Sequence, residues 1–289
     1  MNNDAVPSEM LEHYREVRES ERLSQGIGEL ERIRTQDILR RYLPKPGSRI
    51  LDVGGAAGVH ALWLAREGYE VHLIDPVPHH VEQAREASGA QQGHPIASCV
   101  TGDARQIPWP DQSVDAVLFL GPLYHLVQRS DRLKALREAH RVLQPGGKLF
   151  AATVSRFGSL LDGLARDLVA DPQFVEILRQ DLRDGQHRNP TNNPNYFTTA
   201  FFHHPEDLRN EIEEAGFRLE KRIGIEGPAW LMASFSLHWN NREKRRLLLE
   251  LLQLIEEDYC LLGASAHMMG IARKSHGELR AEREEGEKS

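Results

Sequence analysis

The sequence predicts an α/β fold in which a parallel sheet is covered by helices on both faces. Three observations carry that expectation. Short apolar runs alternate with segments of helical period from residue 47 to residue 154, the pattern of strand–helix–strand crossovers. The first run, Ile50-Leu-Asp-Val53, passes directly into Gly54-Gly-Ala-Ala-Gly58, a turn of small residues ahead of a helical stretch. The second run, Val71-His-Leu-Ile-Asp75, ends in an acid, roughly 20 residues after the glycine turn, where a carboxylate can accept from ribose hydroxyls.

The elements follow in order. Helices are expected over Ser8–Arg22 and Glu29–Tyr42, with a break near Gly26 and Gly28 and a stop at Pro44. In these helices Tyr14, Glu21, Arg22, Glu31, Arg34 and Thr35 read first as a solvated polar face, and second as groups turned toward a site. Strands are expected at 49–53, 71–75, 97–101, 114–120 and 147–154, and helices near 58–67, 77–88 and 131–143. Leu143-Gln-Pro-Gly-Gly-Lys148 reads as a helix end and turn. Residues 156–196 are too long for a plain connection. Within them Leu160–Ala170 and Phe174–Leu182 have helical period, and the segment is either a lid over the sheet end or a surface elaboration. Tyr196, Phe197, Phe201 and Phe202 suit a pocket or a core. A helix over Pro205–Ala215, a sixth strand over Phe217–Ile225, helices over Trp230–Trp239 and Arg242–Tyr259, and a seventh strand over His267–Arg273 complete the pattern. The implied division is an N-terminal helical cap at 1–46, a cofactor-binding core at 47–155, a helical insertion at 156–202, the rest of the core at 203–275 and a charged tail at 276–289.

Composition narrows the function. The 289 residues carry a net charge of −7, which argues against a nucleic-acid surface. Two cysteines form no disulfide framework and no metal-ligand spacing. The adjacent pairs His79-His80 and His203-His204 point apart in regular structure, so neither is a metal site by itself, and no metal is expected. Arg242-Glu-Lys-Arg-Arg246 reads as a solvated helix face. The polar N-terminus and the lack of a long apolar run lead to the expectation of a reduced, cytoplasmic protein.

The loops after the strands hold the candidate chemistry. Gly102-Asp-Ala104 follows the third strand; Asp103 there can accept from an exocyclic amine, and the Ala104 amide can reach a ring nitrogen. Gly121-Pro-Leu-Tyr-His125 follows the fourth, at the sheet edge where open α/β folds bind ligands. Tyr124 and His125 are the candidate catalytic residues, His125 as a general base and Tyr124 as a group that orients an acceptor or faces a cation with its ring.

Together Ile50-Leu-Asp-Val-Gly-Gly-Ala-Ala-Gly58, Asp75, Gly102-Asp-Ala104, Pro110-Asp-Gln-Ser-Val-Asp115 and Arg141-Val-Leu-Gln-Pro-Gly-Gly147 resemble the class I S-adenosylmethionine-dependent methyltransferases. The resemblance covers residues 47–155, and Gly121-Pro-Leu-Tyr-His-Leu126 is similar to a run in small-molecule-directed bacterial members. It implies a Rossmann-like, seven-stranded, mostly parallel sheet whose last strand is antiparallel. It also implies S-adenosyl-L-methionine as cofactor and a small-molecule acceptor. Asp52 and Gly54 would lie beside the methionine part, Asp75 would hold the ribose, and Asp103 with Ala104 the adenine. Gly55, Ala56, Gly58, Pro76 and Leu120 complete the expected cofactor set, with alanine at 56 where the family usually has glycine.

Methyl transfer is therefore the leading expectation. Two others stand beside it. The acid after the second strand also suits NAD, although Gly54-x-Ala56-x-Gly58 does not fit Gly-x-Gly-x-x-Gly. A non-catalytic, cofactor-binding regulatory protein fits the same motifs. A nucleic-acid methyltransferase is disfavoured by the acidic composition and by Gly121-Pro-Leu-Tyr124 in place of an aromatic-proline tetrapeptide.

Overall fold

The computed structural model describes residues 22–275 apart from Asn192 and Pro194. The helix expected over Ser8–Arg22, except Arg22 itself, lies outside the described residues, as do Tyr14, Glu21 and the tail 276–289.

The chain forms α1 (Gly26–Tyr42), β1 (Arg49–Val53), α2 (Val59–Arg66), β2 (Glu70–Asp75), α3 (Pro78–Ala90), β3 (Ser98–Thr101) and β4 (Val114–Phe119). A short α4 (Pro122–His125), α5 (Arg129–Val142) and β5 (Leu143–Val154) follow. The insertion holds α6 (Gly158–Ala165), α7 (Pro172–Asp184), β6 (Gln186–His187) and β7 (Ala200–Phe201). Then come α8 (Pro205–Glu214), β8 (Phe217–Gly224), α9 (Phe235–Trp239), α10 (Arg242–Ile255), α11 (Tyr259–Leu262) and β9 (His267–Lys274).

Seven strands make one sheet in the order β3-β2-β1-β4-β5-β9-β8. The five N-terminal strands run parallel, and β9 enters antiparallel between β5 and β8. The central strands read as near-continuous apolar runs because both faces are covered. On one face α1, α2 and α3 bring Ile38, Leu39, Leu64, Val81 and Ala84 onto Ile50, Leu73 and Leu118. On the other, α5 and α8 bring Leu136, Ala139, Leu208 and Ile212 onto Leu51, Val53 and Val117.

Several expectations need correction. The break is present as a turn at residues 23–25 after Arg22, and α1 opens at Gly26 with a φ of +58°, so Gly28 lies inside the helix and not in the break. The segment read as a turn before the fifth strand is the first part of β5, bulged so that Val114 pairs with Leu143 and Ala116 with Lys148. Gly147 is needed there, since an added Cβ would sit 3.1 Å from the Asp115 carbonyl oxygen. Trp230–Trp239 is not one helix. A 3-10 turn at Gly227–Leu231 precedes α9, and the two indoles are drawn apart, Trp230 to the Ala264 carbonyl and Trp239 to Glu29. The helix expected to reach Tyr259 stops at Ile255. Glu256 instead turns inward onto the buried Arg34 and onto Arg41, and Asp258 caps α11. Arg34 is thus not a solvated residue, being 2% exposed. The basic residues Arg242, Lys244 and Arg246 are exposed.

Within 156–202, Phe174, Ile177, Leu178 and Tyr196 form a small core of their own. Phe201 lies beneath the Arg132 guanidinium at 3.6 Å. The paired strands β6 and β7, which the sequence did not announce, tie the two ends of this segment together.

Gly58 ends the glycine turn with a φ of +85° and caps α2. A Cβ there would meet Ala84 at 3.3 Å and Ile96 at 3.4 Å. Gly58→Ala is expected to cost about 1–2 kcal/mol of stability from the left-handed backbone alone. Urea unfolding measures it, and an unchanged midpoint would refute it.

Candidate active site

The turn after β1 is built to bring backbone close to a ligand. The Gly54 and Gly55 amides both donate to the Ile74 carbonyl, at 2.7 and 3.3 Å, which folds the turn back over β2. Gly54 has a φ of +73°, and a Cβ on it would lie 2.9 Å from the Pro122 ring. A Cβ on Gly55 would lie 2.8 Å from Asp52 Oδ2. Ala56 takes a left-handed φ of +46°, which glycine would adopt with less strain. Its amide donates to Asp75 Oδ2 at 2.9 Å. Asp75 therefore fixes the turn as well as ending β2; its Oδ1 accepts from the Val77 amide at 2.9 Å and lies 3.2 Å from His80 Nδ1.

These residues border a cavity of about 380 Å³ at the carboxyl ends of the parallel strands, within the usual range for small-molecule sites. Asp52, Gly54, Gly55, Ala56, Asp75, Pro76, Asp103, Ala104, Leu120, Tyr124 and His125 all line it. Gly58 does not; it faces Leu73, Ala84 and Ile96 beneath the turn. Tyr196, Phe197, Phe201 and Phe202 are not lining residues either. Three of them are buried in packing, at 4%, 9% and 3% exposure for Tyr196, Phe201 and Phe202.

The acids differ in state. Burial, and after it the nearby Asp75 carboxylate, pushes Asp52 up to about 7. Burial also pushes Asp103 upward, but hydrogen bonds from the Arg105 side chain and amide overcome it and leave the carboxyl below its usual range. Arg105 spans Asp103 at 2.7 Å and Asp131 at 3.2 Å. The loop after α4 is held from below: buried Arg132 donates to the Leu126 and Val127 carbonyls at 2.9 and 2.7 Å and pairs with Glu211 at 2.7 Å. Tyr124 and His125 stand on this support with ring centroids 4.5 Å apart.

Other lining residues arrive from distant parts of the chain. Leu23, Glu31 and Thr35 come from α1 and the turn before it, Arg188 and Thr199 from the insertion, and His267 from the start of β9. Glu31 pairs with Arg22 at 2.5 Å and lies 3.9 Å from His267 Nδ1. That nitrogen is 2.6 Å from Oε1 of the buried Glu226. Glu31, Glu226 and His267 bring ligand-type atoms within 4.8 Å of one another, but protein partners satisfy them: Arg22, the Ser265 hydroxyl and the His267 amide. Sequence reading picked out Glu31 and Thr35 as possible site groups, yet gave no sign of His267 or Glu226, which read only as strand and loop.

The comparisons with known proteins agree with this architecture. The family described as "Methyltransferase domain" matches residues 51–151. A demethylmenaquinone methyltransferase from Beutenbergia cavernae is 30% identical over 175 residues, covering 56% of this chain and 68% of that protein. The chain belongs to the class I S-adenosylmethionine-dependent methyltransferases. A ubiquinone/menaquinone biosynthesis C-methyltransferase from Ruegeria is 31% identical over 134 residues, 45% of this chain and 52% of its own length. The chain thus spans about half or less of the first curated relatives it matches, 40% for a mycobacterial methyltransferase. Among solved structures, a protein from Pyrococcus horikoshii superposes with a TM-score of 0.59 at 17% identity, over 91% of this chain and 99% of that one; it speaks to the fold alone. This methyltransferase fold has no helix among the described residues long and apolar enough to cross a membrane.

The family's cofactor fits the residues present. Gly54 and Gly55 have no room for a side chain against Pro122 and Asp52, which keeps the turn tightly folded at the edge of the cavity that both residues line. Asp75 uses two of its roughly four lone-pair sites on backbone amides, and the longer His80 contact shares a third.

Proposed function

We propose that this methyltransferase moves the methyl group of S-adenosylmethionine to a small-molecule acceptor. One observation carries the reading: a single cavity joins the glycine-turn residues Asp52–Ala56, Asp75 and Asp103 to Tyr124, His125 and His267. The bound cofactor supplies an electrophilic methyl carbon on a sulfonium.

The chain's own residues then bind, orient and shield. Asp75 accepts from the ribose hydroxyls, the Gly54–Ala56 turn and Asp52 border the methionine part, and Ala104 with Asp103 faces the adenine. With both Asp103 oxygens engaged by Arg105, an adenine amine takes a remaining lone pair. Leu120 and Pro76 supply apolar walls. Tyr124 and His125 face the acceptor, which Thr35 from α1 and Thr199 from the insertion enclose. Such enclosure keeps water from the reacting atoms and suits a small molecule better than a polymer. The division into cap, core and insertion thus has a use: cap and insertion form the walls of the acceptor end. Names of relatives in quinone biosynthesis support a small, ring-containing acceptor.

Isothermal calorimetry with S-adenosylhomocysteine and, separately, NADH tests the reading. Tight binding of the first and none of the second is expected; the reverse would overturn it in favour of an oxidoreductase.

A further inference from the structure

His267 opens β9 opposite Val154 at the end of β5. In the sheet order it stands four strand steps from β2, about 19 Å at roughly 4.8 Å per step. It is therefore remote from Asp75, yet it lines the same cavity, with its ring 6.4 Å from that of Tyr124.

Its setting is that of a held base. Nδ1 is bound to Glu226 Oε1 at 2.6 Å. Glu226 is 0% exposed, and its Oε2 accepts from the Ser265 hydroxyl at 3.0 Å and the His267 amide at 2.9 Å. The Ser265 oxygen accepts in turn from the amides of Glu226 and Gly227. The carboxylate thus has one orientation, and it fixes the imidazole tautomer and plane. Nε2 is left for a ligand and has no hydrogen-bond partner among the described residues.

We propose that Glu226 and His267 are the proton-accepting pair of this site, and that the acceptor is an aromatic or enolic hydroxyl. The proposal rests on the methyl-transfer reading and deepens it. The hydroxyl proton passes to the Nε2 lone pair. The acceptor oxygen forms its bond to the methyl carbon with its own lone pair, and the electrons of the broken carbon–sulfur bond stay on sulfur, leaving S-adenosylhomocysteine. The imidazolium, balanced by Glu226, later gives its proton to water. His267 is the catalytic residue here, and Glu226 a positioning residue.

The surrounding charges favour a hydroxyl over an amine. At the His267 end of the cavity Glu31 is answered by Arg22 and Glu226 by His267, while Asp52 and Asp75 stand apart at the glycine turn on the cofactor side. Arg188 lines the cavity with no carboxylate partner among the described residues. An acceptor that becomes an anion therefore fits better than an ammonium ion. The groups facing His267 are Glu226 after β8, Glu31 on α1, Arg22 before it and Tyr124 on α4. Burial pulls the imidazole down, but the Glu226 and Glu31 carboxylates outweigh it and, against Arg22, hold it up at about 9. Below that pH the ring is an imidazolium paired with Glu226, so the neutral, proton-accepting form, and methyl transfer with it, should grow as pH rises toward 9, where a phenolic hydroxyl near 10 is well matched for proton transfer.

The test uses 4-nitrophenol, whose neutral and ionised forms absorb differently, added to protein saturated with S-adenosylhomocysteine. In the wild type the bound phenol should ionise at least one pH unit lower than in buffer. In His267→Gln that shift should vanish while S-adenosylhomocysteine affinity by calorimetry stays within about twofold. By NMR the His267 ring should titrate near 9 and fall by about two units in Glu226→Gln, or in Glu226→Asp should the first variant not fold. No shift in the wild type, an equal shift in His267→Gln, or a His267 titration unmoved by the Glu226 variants would overturn the proposal. If the wild type fails to bind S-adenosylhomocysteine at all, the methyl-transfer reading falls first.

Discussion

Asp75→Ala is expected to weaken S-adenosylhomocysteine binding about 1,000-fold, a loss of roughly 4 kcal/mol. The carboxylate is 4% exposed at the end of β2. Hydrogen bonds to a charged acceptor contribute about 1.5–3 kcal/mol each, and the proposed ribose contact has two. The same substitution strips acceptors from the Ala56 and Val77 amides, so the turn that must approach the cofactor loses its anchor. Ala56 makes this worse, because its left-handed backbone is held by that contact and not by glycine's freedom. Asp75→Asn keeps one oxygen and should fall between. Calorimetry reads the affinity, and thermal unfolding checks that both variants fold. An Asp75→Ala affinity within tenfold of the wild type would remove the ribose assignment.

How much of this was legible in the sequence follows from what is local. Strand, glycine turn and helix occupy neighbouring residues, so 49–66 could be read from composition and period. Asp52, Asp75 and Asp103 stand at the ends of apolar runs, and a parallel sheet necessarily gathers such ends along one edge. The family resemblance implied seven strands with an antiparallel last one, but nothing in the period of His267–Lys274 says that β9 enters between β5 and β8. The acceptor end was the least legible. Glu226 and His267 are 41 positions apart and meet only because β8 and β9 pair. Arg34 reads as one more helix cation until Glu256, 222 positions later, turns in beneath it. The insertion left two readings open. Its aromatics could be read as pocket walls or as core; Tyr196 packs with Phe174, Ile177 and Leu178 into the segment's own core, and the segment sends Arg188 and Thr199 to the cavity instead. The break in 230–239 has the same origin, as each indole follows its own distant hydrogen-bond acceptor.

Asp52→Asn is expected to stabilise the ligand-free protein by up to about 4 kcal/mol above pH 8, since a displacement of roughly three pH units at about 1.4 kcal/mol each sets the ceiling. The folded-state carboxyl is raised from 3.8 to about 7. A group raised in this way gives its full stability below the unfolded value, and that stability is lost as pH rises through the folded one. The wild type should therefore weaken between about pH 4 and pH 7, while the asparagine variant, neutral throughout, should not. Denaturant unfolding at pH 4 and pH 8.5 reads the difference; parallel curves for the two proteins would refute it. Binding gives the opposite sign. The cofactor's ammonium and sulfonium are positive, and their arrival beside Asp52 favours the carboxylate, so wild-type affinity should rise from pH 5.5 to pH 8.5 with release of a proton. Asp52→Asn should bind more weakly at pH 8.5 and show no such slope. Calorimetry in two buffers of different ionisation enthalpy counts the proton directly. A buried acid set against a second acid is a standing loss to the empty fold, and the cationic groups of the proposed cofactor would offset it at the glycine turn.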